Sequence, residues 1–386
     1  VMGVAGPAGQ EIREYRRFPW GEAQVAIVRD SSGAALTDAC GYYEDPQEPG
    51  KYMRTAWERS ADGGFVWYDY DEQGRIVAEA RTWKDVDLSA AWPAVDLDQA
   101  QATLYGYAPV DPADDGALEP RRPRSVVETI AGTTVSKTLY SFLADADGET
   151  IEVREECLSA EAAFGDSGNL RTTTVRHPET EELWPAQPKS IQYPDGRLDR
   201  YEYERGDYAG NGGEPGVFTA GTGDFVRITL NHGTVEHTNG TGKTTREVTV
   251  QDVLRGDMLR ETYVYDGTQL VRVDWTTQTY DELGHPLVAR FADGTFRSNA
   301  WDGCCGKGAE IGADGSATYF EYDVLGRLKR RTAEGVAPAD YPQQPNRTTL
   351  YQLDAEGRVL QETIVATNLA LVSSNQYDLA GRPVKT

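Results

Sequence analysis

Tyr322-Asp323-Val324-Leu325-Gly326-Arg327 is a frame of six residues: an aromatic, an aspartate, two free positions, a glycine and a base. It returns as Tyr70-Asp71-Glu72-Gln73-Gly74-Arg75, Tyr280-Asp281-Glu282-Leu283-Gly284-His285, Leu353-Asp354-Ala355-Glu356-Gly357-Arg358 and Tyr377-Asp378-Leu379-Ala380-Gly381-Arg382. Each copy reads as a hairpin turn. The aspartate bonds backbone two residues on and starts the bend. The glycine supplies the positive φ that closes it, a conformation costing a residue with a Cβ roughly 1–2 kcal/mol. Flanking residues alternate as strands do: Thr318, Phe320 and Tyr322 share one face, Tyr319 and Glu321 the other.

The spacing sets the architecture. Turn glycines stand at 284 and 294, then at 315 and 326, with a gap of 21 residues between the pairs. Gly303-Cys304-Cys305-Gly306 lies midway in that gap and takes a turn position of the same ladder. Glu334-Gly335, Pro345-Asn346, Gly357, Asn368 and Gly381 continue the beat. Strands with turns every 8–12 residues indicate an all-β fold, and a period of about 21 per hairpin a repeat protein. The expected class is therefore an antiparallel β-hairpin repeat sheet with minimal helix.

The Tyr-Asp-x-x-Gly-Arg frame resembles the YD repeat of Rhs proteins, a family of secreted or surface bacterial proteins with relatives in Tc toxin shells and animal teneurins. The match is specific from Tyr280 to the C-terminus and looser at 61–83 and 190–205. The resemblance implies hairpins joined into one long sheet that spirals as a shell or rod. It also implies a non-enzymatic structural role and an extracellular or cell-surface location.

Along the chain, residues 1–60 hold no frame and read as a strand-rich lead-in or cap; 61–386 read as the repeat region. Two stretches, 84–124 (rich in Pro and Asp) and 206–224 (rich in Gly), read as long loops decorating a continuous sheet, and "SAEAAFG" (159–165) as one helical turn. No firm internal boundary is visible.

Composition narrows the function. A formal net charge of −24 disfavours nucleic acid and anionic membranes as partners. No stretch approaches the roughly 20 apolar residues that span a bilayer. Cys40, Cys157, Cys304 and Cys305 allow three disulfide pairings, and the sequence selects none. For Cys304-Cys305, no CxxC or nearby histidine completes a zinc set. A small-residue turn is the expectation, and Cys-Cys-Gly turns in some YD-repeat proteins agree with it.

Other motifs weaken on inspection. Gly165-Asp166-Ser167-Gly168 looks like a serine-protease segment but lacks a matching histidine context. "NGTGKTT" (239–245) leads into a strand-like run, where a phosphate loop opens a helix. His232 and His237, five apart, face opposite ways on a strand. The run from Asp69 reaches Ala80 where a calcium loop needs a bidentate Glu. Cofactors are therefore expected to be none, with weak calcium binding left open at acidic turns such as Asp145-Ala146-Asp147-Gly148. Trp67, Trp83, Trp275 and Trp301 are candidates for stacking on glycans, with sheet packing the expected role. Asn239 and Asn346 head glycosylation sequons. The last frame has scarcely any outgoing strand, so the expected partner is a flanking part of a longer chain or a second copy joined head to tail through an open sheet edge. Such joining would build a filament or shell; the alternatives are a shell fragment of an Rhs-type toxin-delivery protein, as the resemblance implies, and a carbohydrate-binding surface module.

Overall fold

A computed structural model describes residues 2–5, 10–29, 36–83, 95–234, 244–302, 306–335, 345–367, 369–377 and 383–385. It is all-β, as the turn rhythm requires. Among the described residues helix is confined to one short 3₁₀ turn, Leu97–Gln99. No helix in them is long and apolar enough to cross a membrane.

The chain forms two compact units, Val1–Asp195 with Tyr377–Arg382, and Gly196–Gln376 with Pro383–Thr386. The sequence shows no composition break near 195. The described strands within residues 1–60 pair in the same antiparallel ladder as those that follow.

In the first unit the strands are β1 (Met2–Ala5), β2 (Gln10–Phe18), β3 (Gly21–Arg29), β4 (Leu36–Tyr42), β5 (Thr55–Arg59), β6 (Phe65–Tyr70) and β7 (Ile76–Arg81). They continue with β8 (Gln101–Gly106), β9 (Ser125–Ile130), β10 (Thr133–Ala144), β11 (Thr150–Glu156), β12 (Leu170–Arg176) and β13 (Pro188–Gln192). Each pairs antiparallel with the next in sequence. Such local pairing keeps loop-closure entropy low.

The core of this unit lies on one face of β5–β8. Phe65, Trp67, Ala78, Ala80, Ala100 and Ala102 are buried there, with Trp57, Val95, Leu97 and Leu104 packed against them. Trp67 faces Ala80 across one strand pair, and Ala80 faces Ala102 across the next, so small residues stand beside the indole.

The stretch 84–124 is thus not one loop, since β8 lies inside it and pairs with β7 and β9. Alternating Gln101-Ala102-Thr103-Leu104-Tyr105 carried that signal, and the neighbouring Pro and Asp obscured it. The segment after β8 folds around a buried cation. Arg124 is 1% exposed; its Nε meets Asp114 Oδ2 at 2.9 Å, and its remaining donors reach the carbonyls of Leu118, Glu119 and Arg122. Its guanidinium lies 4.6 Å from the Phe142 ring centre. Every donor has an acceptor, the condition under which a buried ion pair is tolerated. Residues 159–165 form turns and no helix.

The second unit has β14 (Arg197–Ala209), β15 (Val217–Ala220), β16 (Phe225–Thr234), β17 (Thr245–Asp252), β18 (Gly256–Tyr265), β19 (Leu270–Tyr280) and β20 (Pro286–Phe291). The ladder runs on through β21 (Phe296–Asp302), β22 (Gly306–Ile311), β23 (Ala317–Tyr322), β24 (Leu328–Ala333), β25 (Arg347–Leu353), β26 (Val359–Ala366) and β27 (Leu369–Ser374). From β16 onward each strand pairs antiparallel with the next, and β14 pairs with both β15 and β16. The expected loop at 206–224 therefore contains the end of β14 and all of β15. Short strands Gln376–Tyr377 and Pro383–Lys385 flank the last frame.

Candidate functional site

The repeated feature is the frame itself, and its bonding is the same wherever it is described. Asp323 Oδ1 accepts from the amides of Leu325 (2.9 Å) and Arg327 (3.0 Å), while its Oδ2 takes Arg327 Nε at 2.7 Å. The Asp323 amide donates to the Arg327 carbonyl at 2.9 Å, and the Gly326 amide to the Asp323 carbonyl at 3.0 Å. Asp71 with Arg75 and Asp354 with Arg358 repeat all of these bonds. At Asp281 the base is His285, whose Nδ1 lies 2.9 Å from Asp281 Oδ2. Gly74, Gly284, Gly326 and Gly357 all have positive φ, between 74° and 86°. The geometry is a three-residue loop in which a type I turn ends on a left-handed glycine, the commonest three-residue hairpin closure. At each of these four frames the strand register also shifts at the Tyr or Leu that precedes the aspartate. The bulge so formed adds twist and fixes where pairing ends.

The frame tyrosines clasp the neighbouring strand. The hydroxyls of Tyr70, Tyr280 and Tyr322 donate to the carbonyls of Thr55, Asp257 and Lys307, each at 2.9–3.0 Å. Tyr42 and Tyr107 do the same to Gln24 and Ile76, and the Trp301 indole donates to Pro286 O at 2.9 Å. The clasps sit at the ends of β4, β6, β8, β19, β21 and β23. Glycine lies beneath two of them: Gly256 and Gly306 have φ of +117° and +119°, where a residue with a Cβ is strained, and a Cβ on Gly256 would also stand a tight 3.1 Å from Tyr280 Oη.

Several sequence candidates fall into place. Asp145-Ala146-Asp147-Gly148, considered for calcium, is a further frame with Glu149 in the basic position. Asp145 Oδ1 accepts from the amides of Asp147 and Glu149, and Glu149 pairs with Lys189. Asp71 is held by Arg75, and Asp69 by Lys51 at 2.6 Å. Among the described residues no group of three or more His, Cys, Asp or Glu converges as a metal site would. His232 Nδ1 lies 2.7 Å from Asp199. In the protease-like segment, the Gly165 amide donates to buried Glu155 at 2.8 Å, and Ser167 is exposed.

Cys40 and Cys157 are both free thiols, Cys40 lying 3.3 Å from the Gln24 carbonyl. Cys304, Cys305, Asn239, His237, Asp378, Gly381 and Arg382 lie outside the described residues. The strands on either side of the cysteine pair are described, with Asp302 at the end of β21 facing Gly306 at the start of β22. Trp67 is buried, Trp301 stacks on His285 with ring centres 4.6 Å apart, and Trp83 and Trp275 are half-buried. Asn346 is exposed at the head of β25, and its Oδ1 accepts from the Gly335 amide at 3.0 Å. A concavity of about 710 Å³ along β19–β22 includes Gln278, Arg297, Asn299, Lys307 and Glu310, and the last charged pair neutralises itself at 3.1 Å.

The fold and its turns thus define a hairpin-ladder protein. No family model matches the chain, and no curated protein does. Among solved structures it is similar to the Photorhabdus luminescens Tc holotoxin pore with the mutation TccC3-D651A, at 12% identity and a TM-score of 0.27. That likeness covers 97% of this chain and 22% of the other. It is also similar to TcdB2-TccC3 without its hypervariable C-terminal region, at 13% identity and a TM-score of 0.30, over 97% of this chain and 21% of that one. The chain spans about a fifth of the length of these structures.

The frame aspartates make stability depend on pH. The Arg327 guanidinium, then the Arg327 amide, hold Asp323 below the usual carboxylate value. Partial burial pushes Asp71, Asp281 and Asp354 upward, but the bonds from the frame's last residue outweigh it and all three end low. A depressed carboxylate stabilises the folded state above its unfolded pKa of about 3.9, and the contribution is lost as pH falls through the folded value. Asp323→Asn is therefore expected to lower the urea midpoint at pH 7, with the gap to wild type closing below about pH 3.9. A gap that stays constant from neutral pH to pH 3 would contradict the assignment.

Proposed function

We propose that the chain is a non-catalytic structural scaffold, a stretch of sheet wall in a secreted or surface protein of the Rhs type. The observation that carries this reading is the link from one frame to the next: Arg327 Nη1 donates to the Asp354 carbonyl at 2.7 Å. The conspicuous polar groups of the turns bond to their own turn, to the neighbouring strand or to the next turn. That economy suits a wall built by repetition. The reading is tested by cryo-electron microscopy of the protein made from the complete reading frame. The expected result is that these residues form part of a hairpin-built wall; a separate globular domain around a ligand cleft would contradict it.

A second role, assembly through an open edge, is favoured by β27. Among the described residues this strand pairs with β26 alone, and its side chains are exposed throughout, with Leu369, Leu371 and Val372 at 57%, 55% and 58%. Apolar edge strands invite pairing with another chain, and an edge lysine blocks it. Association that rises with concentration in sedimentation, and is abolished by Leu371→Lys with Val372→Lys, is expected. Monomers at every concentration would remove this role.

A further inference from the structure

Beside the frame at Asp71, the first unit opens a concavity of about 450 Å³, whose lining includes Arg54, Arg75, Arg121, Tyr105, Tyr107 and Gly74. Three guanidinium groups at one hollow run against the bias of a chain with net charge −24. Only one of them has a carboxylate partner among the described residues. Arg75 Nε meets Asp71 Oδ2 at 2.7 Å, its Nη1 donates to the Pro120 carbonyl at 2.8 Å and its Nη2 to Gln73 Oε1 at 3.3 Å, and its guanidinium lies 4.0 Å from the Tyr107 ring centre, which leaves one hydrogen on each Nη for a ligand.

Arg54 is held without an anion. Its Nε donates to the Gly50 carbonyl at 2.8 Å and its guanidinium lies 5.5 Å from the Tyr70 ring centre. A Cβ on Gly74 would come within 2.1 Å of Arg54 Nη2, so the frame glycine also makes room for this cation. Arg121 is exposed and has neither hydrogen bond nor ion pair among the described residues. The Tyr107 hydroxyl, committed to the Ile76 carbonyl at 2.9 Å, fixes the wall on which Arg75 rests. Two positioned guanidinium groups and the exposed Arg121 therefore face the hollow; Asp71 offsets Arg75, and the charges of Glu79 and Glu128 reach Tyr105 on the lining.

We propose that this concavity is an oxyanion site, taking the sulfate, phosphate or carboxylate group of a small ligand. A guanidinium offers planar paired donors that match such groups, and charge-assisted bonds are about twice as strong as neutral ones. Holding two of the three cations in place beforehand lowers the ordering cost of binding. The volume falls in the usual range for small-ligand sites, roughly 300–1,000 Å³. The proposal does not depend on the wall reading, since it concerns a hollow within one unit.

The test is thermal stability and titration calorimetry of the full chain with sodium sulfate, against sodium chloride at equal ionic strength so that simple screening cancels. Glucuronate, with glucose as its neutral control, separates a sugar acid from a free inorganic anion. Saturable stabilisation by sulfate or glucuronate beyond chloride is expected. Arg121→Glu is expected to weaken it by about tenfold or more, the scale of losing one charged hydrogen bond, without shifting the anion-free melting temperature. Lys329→Glu, the same charge change in the other unit, is expected to bind as wild type does. Tighter glucuronate binding names a sugar acid as ligand, and tighter sulfate binding names an inorganic or ester anion. No saturation by either anion, or equal affinity in the Arg121→Glu and Lys329→Glu proteins, overturns the proposal.

Discussion

One carboxylate oxygen collecting two backbone amides, while its twin holds the base that ends the turn, is the interaction on which this ladder depends. A hairpin turn leaves amides pointing inward with no strand to receive them, and an unpaired amide costs about as much as a lost hydrogen bond. Aspartate at the head of the turn answers that need with a side chain of the right length. The left-handed glycine then returns the chain at a twist matching its strands. Register follows, because the bulge before each aspartate decides which residues oppose one another, and a slip by one would turn every side chain to the other face.

The turn reaches beyond itself by two contacts. The aromatic before the aspartate reaches to a carbonyl on the adjacent strand, and the arginine at 327 extends to the next frame. The frame at 323 is thereby tied at its end both to the strand beside it and to the next frame. A two-stranded hairpin is only marginally stable alone, so ties of this kind convert a row of weak units into a sheet. The same residues explain why the turns tolerate variation. Leu353 replaces the tyrosine and gives up the hydroxyl, while His285 and Glu149 replace the base and keep a polar contact, to Asp281 and Lys189 respectively.

What could be read in the sequence was whatever is local. The glycine that needs a positive φ and the aspartate that bonds two residues on are both set within six positions, and the turns at 74, 284, 326 and 357 follow from them. The clasps by Tyr42, Tyr107 and Trp301 were not legible, because they depend on which carbonyl the register brings opposite. Nor was the tight contact of Gly256 with a tyrosine 24 residues later. The frame at Asp145 carries Glu149 where the other frames carry a base, so the six-residue pattern does not pick it out. β8 was hidden by the prolines around it, and the three arginines of the hollow come together only once β5, β7 and the segment before β9 are placed.

Amide hydrogen exchange across the turn at 323–327 tests the central claim most directly. If the Asp323 carboxylate holds the turn, the amides of Leu325, Gly326 and Arg327 exchange nearly as slowly as those of β23 and β24, although they stand at an exposed hairpin tip. Exchange at the rate of an unstructured chain in those three amides, beside protected strands, would show that the sheet holds its register without the aspartate turn.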